Sequence, residues 1–373
     1  TELKSWEHQD ERMTVVALDA MGGDDAPKAQ VQGALLAARD SSLEIALVGR
    51  VGEVRALMPA VPQNIHLIDA PDAVGMADSP ALSLRQKPRS SIMVGLELVQ
   101  AGDADAFLSF GNTGAVMTAS VTRLGRIPGV SRPAIGTVFR NARGSTSLIL
   151  DVGANVDCRP EYLVEFATMG KAYFERVLHH RNPSVGLINI GEEPGKGNRF
   201  TKEAYRLLTR DEPNFVGNVE GDAIITGAVD IIVADGFVGN VVLKSSEGIL
   251  SHFQGRLSAQ IRSKLHYALA GWILKGAFTA LKGEVDHRAI GGAPLFGVDG
   301  TVVIGHGRAD AETVKSGIQM ARRVGDSDFV EQIRTALSGA VVARRQGLDE
   351  TAGSAESVAE APTPTSPRPG PSS

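Results

Sequence analysis

Four loops of this 373-residue chain join glycine to Asp, Asn or Thr: DAMGGD (Asp19 to Asp24), GNTG (Gly111 to Gly114), DVGANVD (Asp151 to Asp157) and DGFVGN (Asp235 to Asn240). Glycine permits positive φ and close backbone approach, and successive N–H groups at a helix N-terminus cradle an anion. Such loops suit the holding of a phosphate or an oxyanion. Any one of them is equally an ordinary turn or helix cap, but four in strand-end positions favour an anion site. GEEPGKGNRFTK (Gly191 to Lys202) adds positive charge, which makes Lys196 the preferred anion ligand, with Lys244 behind DGFVGN as a second candidate.

None of these loops fits G-x-G-x-x-G or G-x-x-x-x-G-K-[ST], so dinucleotide and Walker-type phosphate binding lack their signatures. Of eight histidines, His306 in GHG is the one that follows a strand as an active-site group would. Cys158 closes GANVDC, yet nothing nearby in sequence marks a lowered thiol pKa, free cysteine is more often structural, and it is assigned no catalytic role.

The elements that must position these loops are short apolar runs with helical stretches between them. Strands are expected at Thr14 to Ala20, Glu44 to Gly49, Ile65 to Asp69, Ala106 to Phe110, Ala134 to Phe139 and Ser147 to Asp151. Further strands are expected at Val185 to Ile190, Asn214 to Val219, Asp230 to Asp235 and Thr301 to Gly305. Ser90 to Ala101 and Tyr162 to Leu178 carry apolar residues at helical spacing. This alternation predicts an α/β fold: a three-layer α/β/α sandwich around a mostly parallel sheet, with ligands beyond the carboxyl ends of the strands.

With 43% hydrophobic and 22% charged residues, the chain can bury a large core, and one main body is expected over 13–346. Residues 1–12 read as a leader or extension, and 347–373, rich in Ala, Ser, Thr and Pro, as a disordered tail. A net charge of -5 supplies no basic field for nucleic acid. The single cysteine rules out an intramolecular disulfide and cysteine-clustered metal sites and fits a reducing cytoplasm. No apolar run is long enough to span a membrane.

In order, the motifs LDAMGGD, GNTGA, LDVGANVDC, NIGEE followed by KGN, ADGFVGNVVLK, GGAPLFG and GHG resemble those of the bacterial phosphate acyltransferases of phospholipid synthesis. The resemblance runs from about Thr14 to about Val341. It implies a fold like that of isopropylmalate dehydrogenases and phosphotransacetylases, a homodimer, and transfer of an acyl group from acyl carrier protein to inorganic phosphate. It calls for no metal or cofactor, and its product would feed a glycerol-3-phosphate acyltransferase. On this resemblance phosphate sits at Gly22, Gly23 and Asp24 and at Gly111, Asn112, Thr113 and Gly114. Lys196 and Asn240 aid the oxyanion or phosphate, His306 transfers a proton, Asn155, Gly236 and Lys244 join the phosphate and substrate site, and Asp19, Asp151 and Asp235 in that site orient its loops. Phe110 and Pro294 depart from the family pattern, and Phe110 is expected to narrow the approach to the site.

From about 246 to 283 the strand rhythm stops, which predicts a projecting helical pair. Leu265, Leu269, Trp272 and Phe278 fall roughly on one helical side and suit either a dimer contact or a membrane surface. The family is peripherally membrane-associated through such a projection, so the protein is expected in the cytoplasm with lipid contact there. Arg256, Arg262 and Lys264 are candidate contacts for the acidic carrier. Three rivals stand: a metal-dependent dehydrogenase, whose arginine clamp is missing from the loops; a phosphotransacetylase using coenzyme A; and a non-catalytic membrane-docked scaffold.

Overall fold

Six buried residues in succession form β1 (Thr14–Asp19), and alternate ones feed separate cores: Val16 and Leu18 one, Val15 and Ala17 the other. A strand whose neighbours in sequence point to opposite faces can bury both only if helices cover each side of the sheet. The same split recurs where Leu148 and Leu150 enter the first core and Ile149 the second. The continuous apolar runs therefore mark a sheet held between two helical layers.

The computed structural model describes residues 13–276 and 291–338. The expected leader, the expected tail and Phe278 lie outside them. After β1 come β2 (Leu43–Gly49), β3 (Ile65–Asp69), β4 (Ala106–Ser109), β5 (Ala134–Arg140) and β6 (Thr146–Leu150). Then follow β7 (Val185–Ile188), β8 (Phe215–Val219), β9 (Ile231–Val233), β10 (Ala293–Phe296) and β11 (Val302–Ile304). They form one sheet in the order β3-β2-β1-β4-β11-β10-β5-β6-β9-β7-β8.

The first five strands of that order are mutually parallel, as are the last four. Between them β10 is antiparallel to β11 and to β5, and β5 is antiparallel to β6. Three antiparallel steps reverse the direction, so the two parallel halves run opposite ways. Their carboxyl ends nevertheless meet at the centre: Ile304 pairs with Ala293, Leu295 with Ile135, and Gly136 with Leu150. The loops that follow both sets of strands are thereby delivered to one place.

β10 was not expected as a strand. Its Pro294 has no N–H for a ladder and argues against a central strand, yet the strand is short and pairs on both sides.

The helix Pro160–Arg176 shows how the layers adhere. Proline starts it, Glu161 and Arg176 complement its dipole, and Leu163, Phe166, Ala167, Gly170, Tyr173 and Phe174 recur at three- and four-residue spacing on its buried face. Each buried aromatic contributes about 2 kcal/mol. A Cβ on Gly170 would stand 2.9 Å from Ile231 Cγ2, so a larger residue there would lift the helix from the sheet.

The helix Gly236–Arg262 buries only Gly236 and Gly239, and Leu265–Ile273 buries nothing. Leu265, Leu269 and Trp272 are 90%, 61% and 74% exposed. The two helices touch at Gly271, where a Cβ would lie 2.4 Å from Ile261 Cγ2. Among the described residues no helix is long and apolar enough to cross a membrane.

Candidate active site

One wall of the site is built by a chain of hydrogen bonds from the first strand to the fourth. Asp19, 1% exposed, accepts from Met21 N–H at 2.9 Å and from Ser109 Oγ at 2.7 Å, and Gly111 N–H donates to Ser109 Oγ at 3.0 Å. Burial pushes the Asp19 carboxyl above its ordinary range, while hydrogen bonds from Ser109, Ser91, Met21 and Gly22 oppose that shift. Gly22 must be glycine, because a Cβ would fall 2.5 Å from Asp19 Oδ2 and 2.7 Å from Gly111 N. Asp24 N–H then donates to Gly307 O at 2.8 Å, which ties the DAMGGD loop to the GHG loop after β11.

Asn112 caps the helix Thr113–Arg123 by accepting from Ala115 N–H at 3.0 Å. Its Nδ2 donates to the carbonyls of Met76 and Asp78, both at 3.0 Å. The side chain is thus occupied in fastening a loop over the site.

The opposite wall hangs on Asp151, which is fully buried. Its Oδ1 accepts from the N–H groups of Ile135, Gly153 and Ala154 at 3.0–3.1 Å, and its Oδ2 from Asn155 N–H at 2.7 Å and Asn155 Nδ2 at 2.9 Å. Asp235 caps the long helix by accepting from Val238 N–H at 2.9 Å, and Gly236 N–H donates to Asn155 O at 2.8 Å. One turn on, Asn240 Oδ1 lies 3.6 Å from where a Gly153 Cβ would be. The three aspartates shape loops, as the sequence suggests.

Between the walls lies a cleft of about 420 Å3 whose lining includes Gly111, Thr113, Gly153, Asn240, Lys244 and His306. Lys244 Nζ is held by Glu247 at 3.0 Å, and both line the cleft. Arg308 N–H donates to His306 Nδ1 at 3.3 Å, so in the neutral ring the proton resides on Nε2. Among the described residues no group of three or more His, Cys, Asp or Glu side chains is placed to hold a metal ion.

The structure therefore gathers loops from both halves of the sheet, with Gly22, Gly23 and Asp24 packed behind Gly111 and Gly307. It does not bring Lys196 into the lining; that side chain stands on its own loop, 3.7 Å from Glu193. The expectation for Phe110 also needs correction. It is fully buried in the core, and a Cβ on Gly305 would meet its ring at 2.2 Å, so it backs the GHG loop and does not narrow the cleft. Cys158 is partly buried, and its thiol is pushed up to about 12 by burial and then by the charges of Asp151, Asp235 and Glu165. Sequence reading missed Ser109, Gly153, Glu247, Gly305 and Gly307. Ser109 had one signal, a hydroxyl inside an apolar strand, and Gly305 and Gly307 flank His306 in GHG.

The model of a family described as fatty acid synthesis protein matches residues 14–332. A phosphate acyltransferase of Dictyoglomus turgidum is 43% identical over 83% of this chain and 93% of its own length. One of Salinibacter ruber is 42% identical over 86% and 97%. Among solved structures, a phosphotransacetylase from Streptococcus pyogenes superposes with a TM-score of 0.56 at 17% identity, covering 84% of this chain and 94% of its own. A branched-chain phosphotransacylase from Enterococcus faecalis gives 0.52 at 15% identity, covering 84% and 100%. These structures speak to the fold alone, which is of the phosphotransacetylase kind. The extent and identity of the sequence matches place the chain in the phosphate acyltransferase family.

Proposed function

We propose that the protein transfers a fatty acyl group from the thioester of an acyl carrier protein to inorganic phosphate, giving acyl phosphate for glycerol-3-phosphate acylation in phospholipid synthesis. The observation that carries this reading is the convergence of Gly111, Gly153 and the GHG loop, from opposite halves of the sheet, on one cleft with Asn240, Lys244 and His306. The helix N-terminus at Thr113 and Lys244, both in the lining, suit a doubly charged oxyanion, and Asn240 is a preorganised donor for the oxyanion that develops on the thioester.

A phosphate oxygen attacks the carbonyl carbon, forming the new C–O bond, and the C–S bond breaks as the tetrahedral intermediate collapses. The proton of the attacking hydrogen phosphate passes to the departing thiolate, toward which His306 Nε2–H donates a hydrogen bond. Holding both reactants in one cleft supplies much of the rate, so no side-chain nucleophile is needed. Lys196 takes no part in these steps, since it is not in the lining.

The same reading makes the enzyme a homodimer and a peripheral membrane protein, with the helices Gly236–Arg262 and Leu265–Ile273 as its projection. Their exposed Leu265, Leu269 and Trp272 support lipid contact, and Arg256, Arg262 and Lys264 suit an acidic carrier. The test is to incubate the purified protein with palmitoyl-carrier protein, with and without phosphate, following thiol release and acyl phosphate by mass spectrometry. Phosphate-dependent formation of both products is expected; thiol release without phosphate dependence would sink the reading.

A further inference from the structure

The helix Thr113–Arg123 does not end at the cleft. Thr113 lines the cleft, while Met117, Val121 and Thr122 line a second cavity of about 690 Å3. The loop after β6 makes the same passage on the facing side: Gly153 lines the cleft, Ala154 and Asn155 the second cavity. The two spaces thus adjoin along a shared pair of elements. Nine residues separate Thr113 from Thr122, about 13 Å along the helix axis.

The lining of this cavity includes two cations. Arg126 and Arg132 both line it. Arg126 Nη1 donates to the carbonyls of Val130 and Ser131, which fixes the bend that presents Arg132. Glu165, largely buried, braces the same bend through Ser131 N–H and Oγ, each at 2.7 Å. Arg132 itself is exposed, and among the described residues no ion pair engages it. Apolar Met117, Val121 and Tyr162 share the lining with the polar Asn155. An alkyl chain would gain nothing from a guanidinium in the lining, whereas an amide chain ending in a phosphodiester would find apolar surface, polar groups and a cation there.

We propose that the second cavity seats the phosphopantetheine arm of the thioester donor, with Arg132 as the ligand of its phosphodiester. This rests on the acyl transfer proposed above. The reacting carbonyl lies where the two cavities meet, with phosphate on the His306 side and the arm running along the helix toward Arg132. Two amide units with their thiol and phosphate ends span a distance of that order.

The experiment compares two small donors, octanoyl-phosphopantetheine and octanoyl-N-acetylcysteamine, which lacks the phosphate and half of the arm. Phosphate-dependent thiol release is measured for the wild type and for Arg132→Ala, Arg132→Glu and Arg132→Lys. Arg132→Ala is expected to raise KM for the phosphopantetheine donor about tenfold with kcat retained, Arg132→Glu more, and Arg132→Lys less, while KM for the truncated donor moves less than about twofold. Octanoyl-carrier protein and octanoyl-coenzyme A, run in parallel, separate a contact made by the arm alone from one that needs the carrier. Equal responses of the two small donors, or none, would overturn the subsite while leaving the transfer intact. Wild-type enzyme releasing thiol from none of the four donors would overturn the transfer and the subsite together, and release from octanoyl-carrier protein unchanged by Arg132→Glu would overturn the subsite alone.

Discussion

Ser109 Oγ donates to Asp19 Oδ2 at 2.7 Å across ninety residues of sequence, and this one contact locks the loop after β1 to the loop after β4. Because Ser109 Oγ also accepts from Gly111 N–H, it fixes the turn that leads into the helix Thr113–Arg123, whose Thr113 lines the cleft. Ser109→Ala is expected to leave the chain folded but lower kcat by about tenfold or more, as that helix N-terminus loses its aim. Steady-state kinetics beside circular dichroism check it, and unchanged kcat would remove Ser109 from the account.

Asp19 also gives the stability a pH slope. Its folded pKa is raised above the ordinary 3.8, so between 3.8 and the folded value the native chain holds more protons than the unfolded one. Stability from this group is present below 3.8 and is lost as pH rises through the folded pKa. Asp19→Asn should flatten that part of the melting temperature against pH curve, and a slope identical to the wild type's would contradict the assignment.

Gly239 leaves no room for a side chain, since a Cβ would come within 1.8 Å of Asp151 O. Gly239→Ala must push the long helix away from the loop that holds Gly153, costing about 2 kcal/mol or more. A lowered melting temperature with loss of turnover is the expected result; wild-type values in both would show that the contact relaxes freely.

Asn240 and Lys196 are expected to behave differently, because only Asn240 lines the cleft. Asn240→Ala should lower kcat/KM by about a hundredfold, in the range for an oxyanion donor, and Lys196→Ala by less than about threefold. The reverse order of effects would return Lys196 to the centre of the mechanism.

Cys158 should be inert. With its thiol at about 12, thiolate at pH 8 is roughly a thousandfold scarcer than for an unperturbed thiol. Alkylation followed by mass spectrometry should be correspondingly slow in the native protein and Cys158→Ser should retain activity; rapid native-state alkylation would refute this.

The sequence by itself determined the α/β class, the positions of β1 to β9 and β11 to within a few residues, and the glycine loops that follow several of them. These features are local: a strand buried on both faces must be continuously apolar, and a turn carrying anion-facing amides must contain glycine. Asp151 and Asp235 bond mainly within a few residues of themselves, whereas Asp19 also reaches Ser109 across ninety residues, which no local pattern announces. Tertiary structure alone decided the rest. Pro294 concealed β10, and β10 with β5 reverses the sheet so that carboxyl ends of opposite halves meet. With that reversal Asn240 and not Lys196 lines the cleft and Phe110 lies in the core, because which strand ends share a cleft depends on strand order and register, which are set by long-range pairing and not by any local pattern.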